Sequence, residues 1–239
     1  AALRVLRLAG GRARTVVTPW HRHQAKAWSY WVARLLHLFV LRPNAYVTRV
    51  IGEQRLTGVE VTYRDGRIEE VACDTLLLTG DWVPEYELAM RAGLLMDRAT
   101  GGPATDTGGR TSRKGLFAAG SLVRPGATGS LAVADVAAVA NAVADYLTTG
   151  EWFRGLPIDI AAPIDWVSPA LVVPMEGQTD VAICATTFRD HATVVFSQAD
   201  RQLGSYPVAV ISPGVPFAVP AQWCEAVDPA GPEIHVSLT

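Results

Sequence analysis

The chain has 239 residues, 49% hydrophobic and 18% charged, with a formal net charge of -2 and a pI near 6.2. That balance excludes a disordered tail and leaves room for one large domain or two small ones. It also removes the electrostatic case for nucleic acid, whose backbone is neutralised by clustered Lys and Arg.

Cys73, Cys184 and Cys224 lie far apart and form neither a CxxC nor a zinc spacing, so they read as small buried hydrophobes in a reducing compartment. The longest apolar run, Ala27 to Leu41, is interrupted by Arg34 and His37 and is too short to span a bilayer. With no signal-peptide pattern, the expected setting is cytoplasmic, with neither a membrane nor nucleic acid as partner.

Ala1 to Ala9 is apolar at helical spacing and stops at Gly10 and Gly11. The β-branched run Arg14 to Thr18 follows, so helix, glycine turn and strand form the second half of a βαβ unit. A dinucleotide site would need a strand and a GxGxxG turn before that helix, and neither GxGxxG nor GxxxxGK[ST] occurs in the chain. After the strand come His21, Arg22 and His23, where an NAD enzyme would place an acid for the ribose. They read as an exposed polar loop ahead of a 2′-phosphate contact, and no metal site is expected, because no third ligand lies nearby.

Gln24 to His37 has helical spacing with Trp28, Trp31, Leu35 and Leu36 on a related face, read as core. Tyr46 to Ile51, Leu56 to Tyr63 and Arg67 to Cys73 are three β-prone runs, the last two joined by the hairpin signal Asp65-Gly66. Thr75 to Thr79 reads as a buried strand, then Gly80, Asp81, Trp82, Val83 and Pro84 lead into a helix over Glu85 to Ala92.

Leu116 to Ala119, between Gly115 and Gly120, reads as a second buried strand, and an Ala/Val-rich helix follows the Gly126, Thr128, Gly129 turn. A helix N-terminus carries unpaired N–H groups and partial positive charge, which suit a phosphate or an electron-rich ring edge. From Glu151, prolines and short alternating runs predict a β-sandwich. Asp180, Arg189, Asp190 and His191 there read as a solvated hairpin tip, not a catalytic set. No hydrolase triad spacing is present.

Thr111, Ser112, Gly115, Phe117, Ala118, Ala119 and Gly120 resemble the second flavin-contacting motif of the pyridine nucleotide-disulfide oxidoreductase-like family, in which such a strand precedes a helix that points at the flavin. The next residue, usually Asp in the family, is Ser121 here; it can hydrogen-bond but brings no charge. Thr79, Gly80 and Pro84 resemble the signature at the crossing between the family's two domains, although an ordinary strand-to-helix turn needs the same residues. Gly58 to Val61, Asp65, Gly66, Cys73 and Asp74 fit the meander that precedes that crossing.

The resemblance implies a fold class: α/β, a partial two-dinucleotide-binding-domain, Rossmann-like flavoprotein with a C-terminal antiparallel β-sandwich. It divides the chain into a partial NAD(P)-binding domain with meander (1–106), the C-terminal segment of the FAD-binding domain (107–150) and an accessory β domain (151–239). It implies FAD as cofactor, with NAD(P) as a second, contacts at Thr79, Gly80, Gly120, Ser121, Thr128 and Gly129, and no assignable catalytic residue. The expected function is an FAD-dependent oxidoreductase of a small molecule, incomplete without a partner chain carrying the first FAD-binding half, and binding FAD weakly alone. The alternatives are a non-catalytic remnant acting as an interaction module, and a small-anion binder at the Gly126 to Ser130 helix start.

Overall fold

The computed structural model describes residues 2–79, 82–126, 129–174 and 180–239. They form two units, Ala1–Asp81 and Trp82–Thr239.

In the first unit, α1 (Ala2–Leu8) is ended by Gly10, whose φ of 77° is a left-handed stop. β1 (Thr15–Val17), α2 (Ala27–His37) and β2 (Val40–Arg42) form a βαβ crossover, with β1 and β2 parallel and paired from Thr15 opposite Val40 to Val17 opposite Arg42. β3 (Ala45–Ile51), β4 (Gly58–Tyr63) and β5 (Ile68–Ala72) are the expected antiparallel meander. The Asp65-Gly66 hairpin closes as its sequence dictates. Gly66 sits at φ 85°, the Asp65 carboxylate accepts from the Arg67 N–H at 3.0 Å, and the Tyr63 N–H donates to the Arg67 carbonyl at 2.8 Å. Ala45, Val59 and Val61 make the core here, with Val17, Val47 and Val71 packed on it. Arg42 on β2 grips Glu69 on β5, donating from Nε at 3.2 Å, and the Tyr63 hydroxyl donates to the same carboxylate at 2.8 Å.

Two expectations fail in this unit. Thr75 to Thr79 has no regular structure and pairs with no strand among the described residues, and Leu77, Leu78 and Thr79 are exposed. A strand exists only through its ladder bonds, so an apolar run without an adjacent edge stays irregular. The stripe on α2 is not core either: Trp28, Trp31 and Leu35 are 70%, 64% and 77% exposed. Tyr30 and His37 face inward instead, Tyr30 stacked on His23 at 3.7 Å and edge-on to Phe39.

The second unit opens with α3 (Glu87–Arg91) and a long looped segment, continues through α4 (Gly129–Thr149), and ends in two packed sheets. The strands are β6 (Leu156–Ile160), β7 (Ile164–Ser168), β8 (Leu171–Val172), β9 (Val181–Ala185), β10 (Arg189–Gln198), β11 (Arg201–Ile211), β12 (Phe217–Val219) and β13 (Ile234–Leu238). One sheet runs β11-β10-β13-β6-β8 and the other β12-β9-β7. Both supply one core, in which Phe196 of β10 stacks on Trp223 at 4.0 Å among Val172, Ile183, Val219 and Ile234. The sandwich is therefore as expected, except that β6 and β13 pair in parallel. These strands are joined by the whole sandwich, not by a hairpin, so nothing forces them antiparallel.

Leu116 to Ala119 is a further correction: it makes one bridge, Phe117 to Arg110, and no strand. Its backbone is taken up locally, with the Ala118 N–H donating to the Gly109 carbonyl at 2.9 Å and the Thr111 N–H to the Leu116 carbonyl at 3.1 Å.

Candidate functional site

Ala119 is extended, and the chain then tightens into a 3-10 turn over Gly120–Leu122, because Gly120 takes φ 73°. Its carbonyl accepts from both the Val123 N–H at 3.1 Å and the Arg124 N–H at 3.0 Å. A Cβ on Gly120 would meet nothing within 4 Å, so the turn presents open space on that side. Ser121 follows at an exposed position, where its hydroxyl makes no hydrogen bond among the described residues. It lies on a 3-10 turn, not at the carboxyl end of a buried parallel strand.

α4 starts at Gly129, three residues after Gly126, which has φ 72°. At Gly126 a Cβ would lie 3.3 Å from Cδ1 of Trp82, so the indole rests on the glycine turn. Trp82 and the glycine turn, far apart in sequence, meet there. Gly80 and Thr128 lie outside the described residues. Thr79 is exposed, the last residue of the first unit that the structure describes before Trp82.

Beneath the turn lies a polar layer that the sequence did not disclose. Arg124 reaches Asp135 on α4 at 2.9 Å, both side chains almost fully buried. Burial pushes the Asp135 carboxyl up and the Arg124 guanidinium down, and the mutual attraction of the pair opposes both shifts. The pair thus clamps the turn to the second helical turn of α4. Asp106 organises the adjoining loop: one carboxylate oxygen accepts from the N–H groups of Gly108 and Arg110, each at 2.9 Å, and the other meets Arg110 Nη1 at 3.4 Å. Burial raises the Asp106 carboxyl, with the Arg110 and Gly108 N–H groups pulling the other way. Gly109, at φ 72°, would place a Cβ 2.4 Å from Val139 Cγ2 on α4. Only glycine lets this loop lie against the helix.

Asp106, Arg124 and Asp135 enclose a cavity of about 20 Å³, space for one water and far below any flavin. That cavity is too small for a flavin, whereas on the outer side of the turn Gly120 faces open space and Ser121 is exposed. The groups there suit one edge of such a ligand: an open glycine turn, a hydroxyl with no hydrogen bond among the described residues, and the N-terminus of a 21-residue helix. Asp106 followed by paired glycines is a legible turn signal. The Arg124–Asp135 pair had none, because its partners are eleven positions apart across a turn and a helix start.

The charged residues of the sandwich hairpin tip are solvated. Asp180, Arg189, Asp190 and His191 are all exposed. Cys184 and Cys224 are buried, their thiols pushed up to about 11 and about 12 by desolvation. Among the described residues no three His, Cys, Asp or Glu side chains gather as a metal site, and no helix is long and apolar enough to cross a membrane.

No protein-family model matches the chain, and no curated protein does. Among solved structures, thioredoxin reductase from Lactococcus lactis superposes with a TM-score of 0.55 at 20% identity, over 62% of this chain and 50% of its own. Thioredoxin reductase from T. acidophilum gives 0.49 at 21% identity, over 57% and 45%. LpdA from Mycobacterium tuberculosis gives 0.42 at 21% identity, over 83% and 42%. The chain thus spans about half the length of the solved relatives it matches. The first of these likenesses shows the fold: an α/β chain sharing part of the Rossmann-like architecture of that thioredoxin reductase, with a β-rich C-terminal portion.

Proposed function

We propose that this chain, sharing part of its fold with thioredoxin reductases, works as part of an FAD-dependent, NAD(P)-linked oxidoreductase of a small molecule. The observation that carries the reading is the meeting of two separate motifs, Trp82 of TGDWVP resting on the Gly126 turn that follows TSRKGLFAAG. In this reading residues 1–106 serve the nicotinamide side, 107–150 the flavin and 151–239 form the accessory sandwich. Gly120, Ser121 and the α4 start at Thr128 and Gly129 hold one edge of the flavin, and Thr79 and Gly80 its approach from the domain crossing. A partner chain bearing the first FAD-binding half closes the other side.

Bound FAD would supply two-electron transfer between nicotinamide and substrate, while this chain binds and orients it. The Ser121 hydroxyl would take the place of a carboxylate toward the ribityl chain, as a neutral hydrogen-bonding group. Cys184 and Cys224 do not serve thiol–disulfide exchange, because the attacking group must be a thiolate and burial keeps both protonated.

The test is the visible spectrum of the purified chain, alone and with the FAD-binding half in trans. Alone, a weak flavin band or none is expected. Losing one charge-assisted hydrogen bond weakens binding by about tenfold to a hundredfold. Absence of a flavin band with the missing half present would defeat the proposal.

The second reading, a non-catalytic interaction module, is favoured by one specific observation: Ser121 stands exposed on a 3-10 turn with no strand behind it. Ser121→Asp separates the two. In an enzyme it tightens FAD binding with the other half present; in a remnant, flavin affinity is unchanged.

A further inference from the structure

We propose that the first unit docks on an anionic membrane surface through the outward face of α2 and the basic cavity at its C-terminal end. The helix is amphipathic in the reverse of the usual sense. Tyr30 and His37 face the domain, whereas Trp28, Trp31, Val32 and Leu35, spaced at three and four residues, form one exposed apolar ridge. Leu36, Leu38 and Val40 extend the exposed apolar surface past the helix end. Indoles and leucines on one face, with basic groups around them, are what an interfacial helix needs.

Charge selects the occupant. Residues 1–52 hold nine Lys and Arg and no Asp or Glu. Two such faces brought together would confront like charges across the ridge, which argues against a second copy of this chain. An anionic surface gains from those not already ion-paired within the unit, as Arg42 is to Glu69 and Arg49 to Glu60.

An independent feature adjoins the ridge. Arg7, Arg12, Gly10, Gly11, Leu36 and His37 line an open cavity of about 260 Å³, with Leu36 common to cavity and ridge. Arg7 donates to the Leu36 carbonyl at 3.3 Å, while Arg12 has no hydrogen-bond partner among the described residues. His37 is buried beneath them, its Nδ1 accepting from the Ala13 N–H at 3.4 Å. The two exposed guanidinium groups are a donor set for a lipid phosphate whose acyl chains lie along Leu36 and Leu35.

At eleven residues α2 is about 16 Å long, half of a bilayer's hydrocarbon core, so it lies on the membrane and does not cross it. This revises the sequence-based expectation of no membrane partner, which rested on the lack of a spanning segment.

The experiment is sedimentation of the full chain with vesicles of phosphatidylcholine alone and of phosphatidylcholine mixed with phosphatidylserine. The expected result is pelleting with the anionic vesicles only, weakened by salt. Trp28→Ser/Trp31→Ser, and separately Arg7→Gln/Arg12→Gln, should each lower the apparent affinity by about tenfold or more. All four positions are exposed, so the melting temperature should hold. As a second readout, brominated lipid should quench the wild-type chain, and Trp28→Phe/Trp31→Phe should remove that quenching while retaining binding. Failure to bind anionic vesicles, equal binding to neutral ones, or full binding by both double variants would overturn the proposal. So would a dimer in light scattering that Trp28→Ser/Trp31→Ser dissolves, which would make a second copy the occupant. Free inorganic phosphate blocking the wild type while the tryptophan variant binds normally would mark a soluble-anion site instead.

Discussion

Asp135 and Gly109 show how much of the site depends on single atoms beneath it. Removing the Asp135 carboxylate leaves the Arg124 guanidinium buried beside an empty space, and Asp135→Ala should cost about 3 kcal/mol in urea unfolding. Gly109→Ala fails for a different reason: its Cβ would stand 2.4 Å from Val139 and 2.8 Å from the Ala118 carbonyl, at a φ that L-residues resist. A loss of about 2 kcal/mol or more is expected from the same measurement. Glu69 contributes to the acid response of the first unit, alongside Glu60, which Arg49 holds below its ordinary value. Its hydrogen bonds from Arg42 and then Tyr63 lower its folded pKa to about 2, against 4.5 for the free side chain. A depressed carboxylate stabilises the fold fully above its unfolded pKa, so this contribution is lost as pH falls from about 4.5 toward 2. Glu69→Gln should flatten that part of the stability–pH curve, and an unchanged acid slope would contradict the assignment.

At the scale of elements, runs that close on themselves behave as their sequences say. The Asp65-Gly66 hairpin needs only its own residues: a φ of 85° at Gly66 and the Asp65 carboxylate two positions before the N–H it accepts. Gly66→Ala should therefore cost about 1 kcal/mol, since the added Cβ meets no atom and only the backbone conformation is strained. Elements whose expected partners lie elsewhere depart from their sequence reading. Thr75 to Thr79 and Leu116 to Ala119 have the composition of buried strands and no ladder to join. The α2 stripe has the spacing of a core face and looks outward, because Tyr30 and His37 take the inner side through stacking on His23 and a bond from Ala13.

Across the whole molecule, the two units have separate cores, Val59 and Val61 in the first, and Phe196 and Trp223 in the second. Trp223→Ala should destabilise the second unit by about 3 to 5 kcal/mol, because the indole is stacked on Phe196 and 2% exposed. Differential scanning calorimetry should then show a second-unit transition that moves down while the first stays in place. A single transition shifting as one would show that the units unfold together.

Periodicity and turn chemistry alone determined α1, α2, the β3–β4–β5 meander, α4 and, in the sandwich, β9, β10, β12, β13 and the end of β11, since each is specified by residues within a few positions of one another, whereas β6, β7 and β8 lie in the proline-rich stretch and carried no strand signal. The glycine turn at Gly120 and Gly126 was likewise readable, as was the resemblance built on it. Three things were decided only in the folded chain. The Arg124–Asp135 clamp joins residues that no local rule connects. Trp82 comes onto Gly126 by long-range packing. The exposed ridge of α2 depends on which of two apolar faces finds a core. A helical pattern states that a face is apolar, and whether that face is buried depends on what the rest of the molecule brings against it.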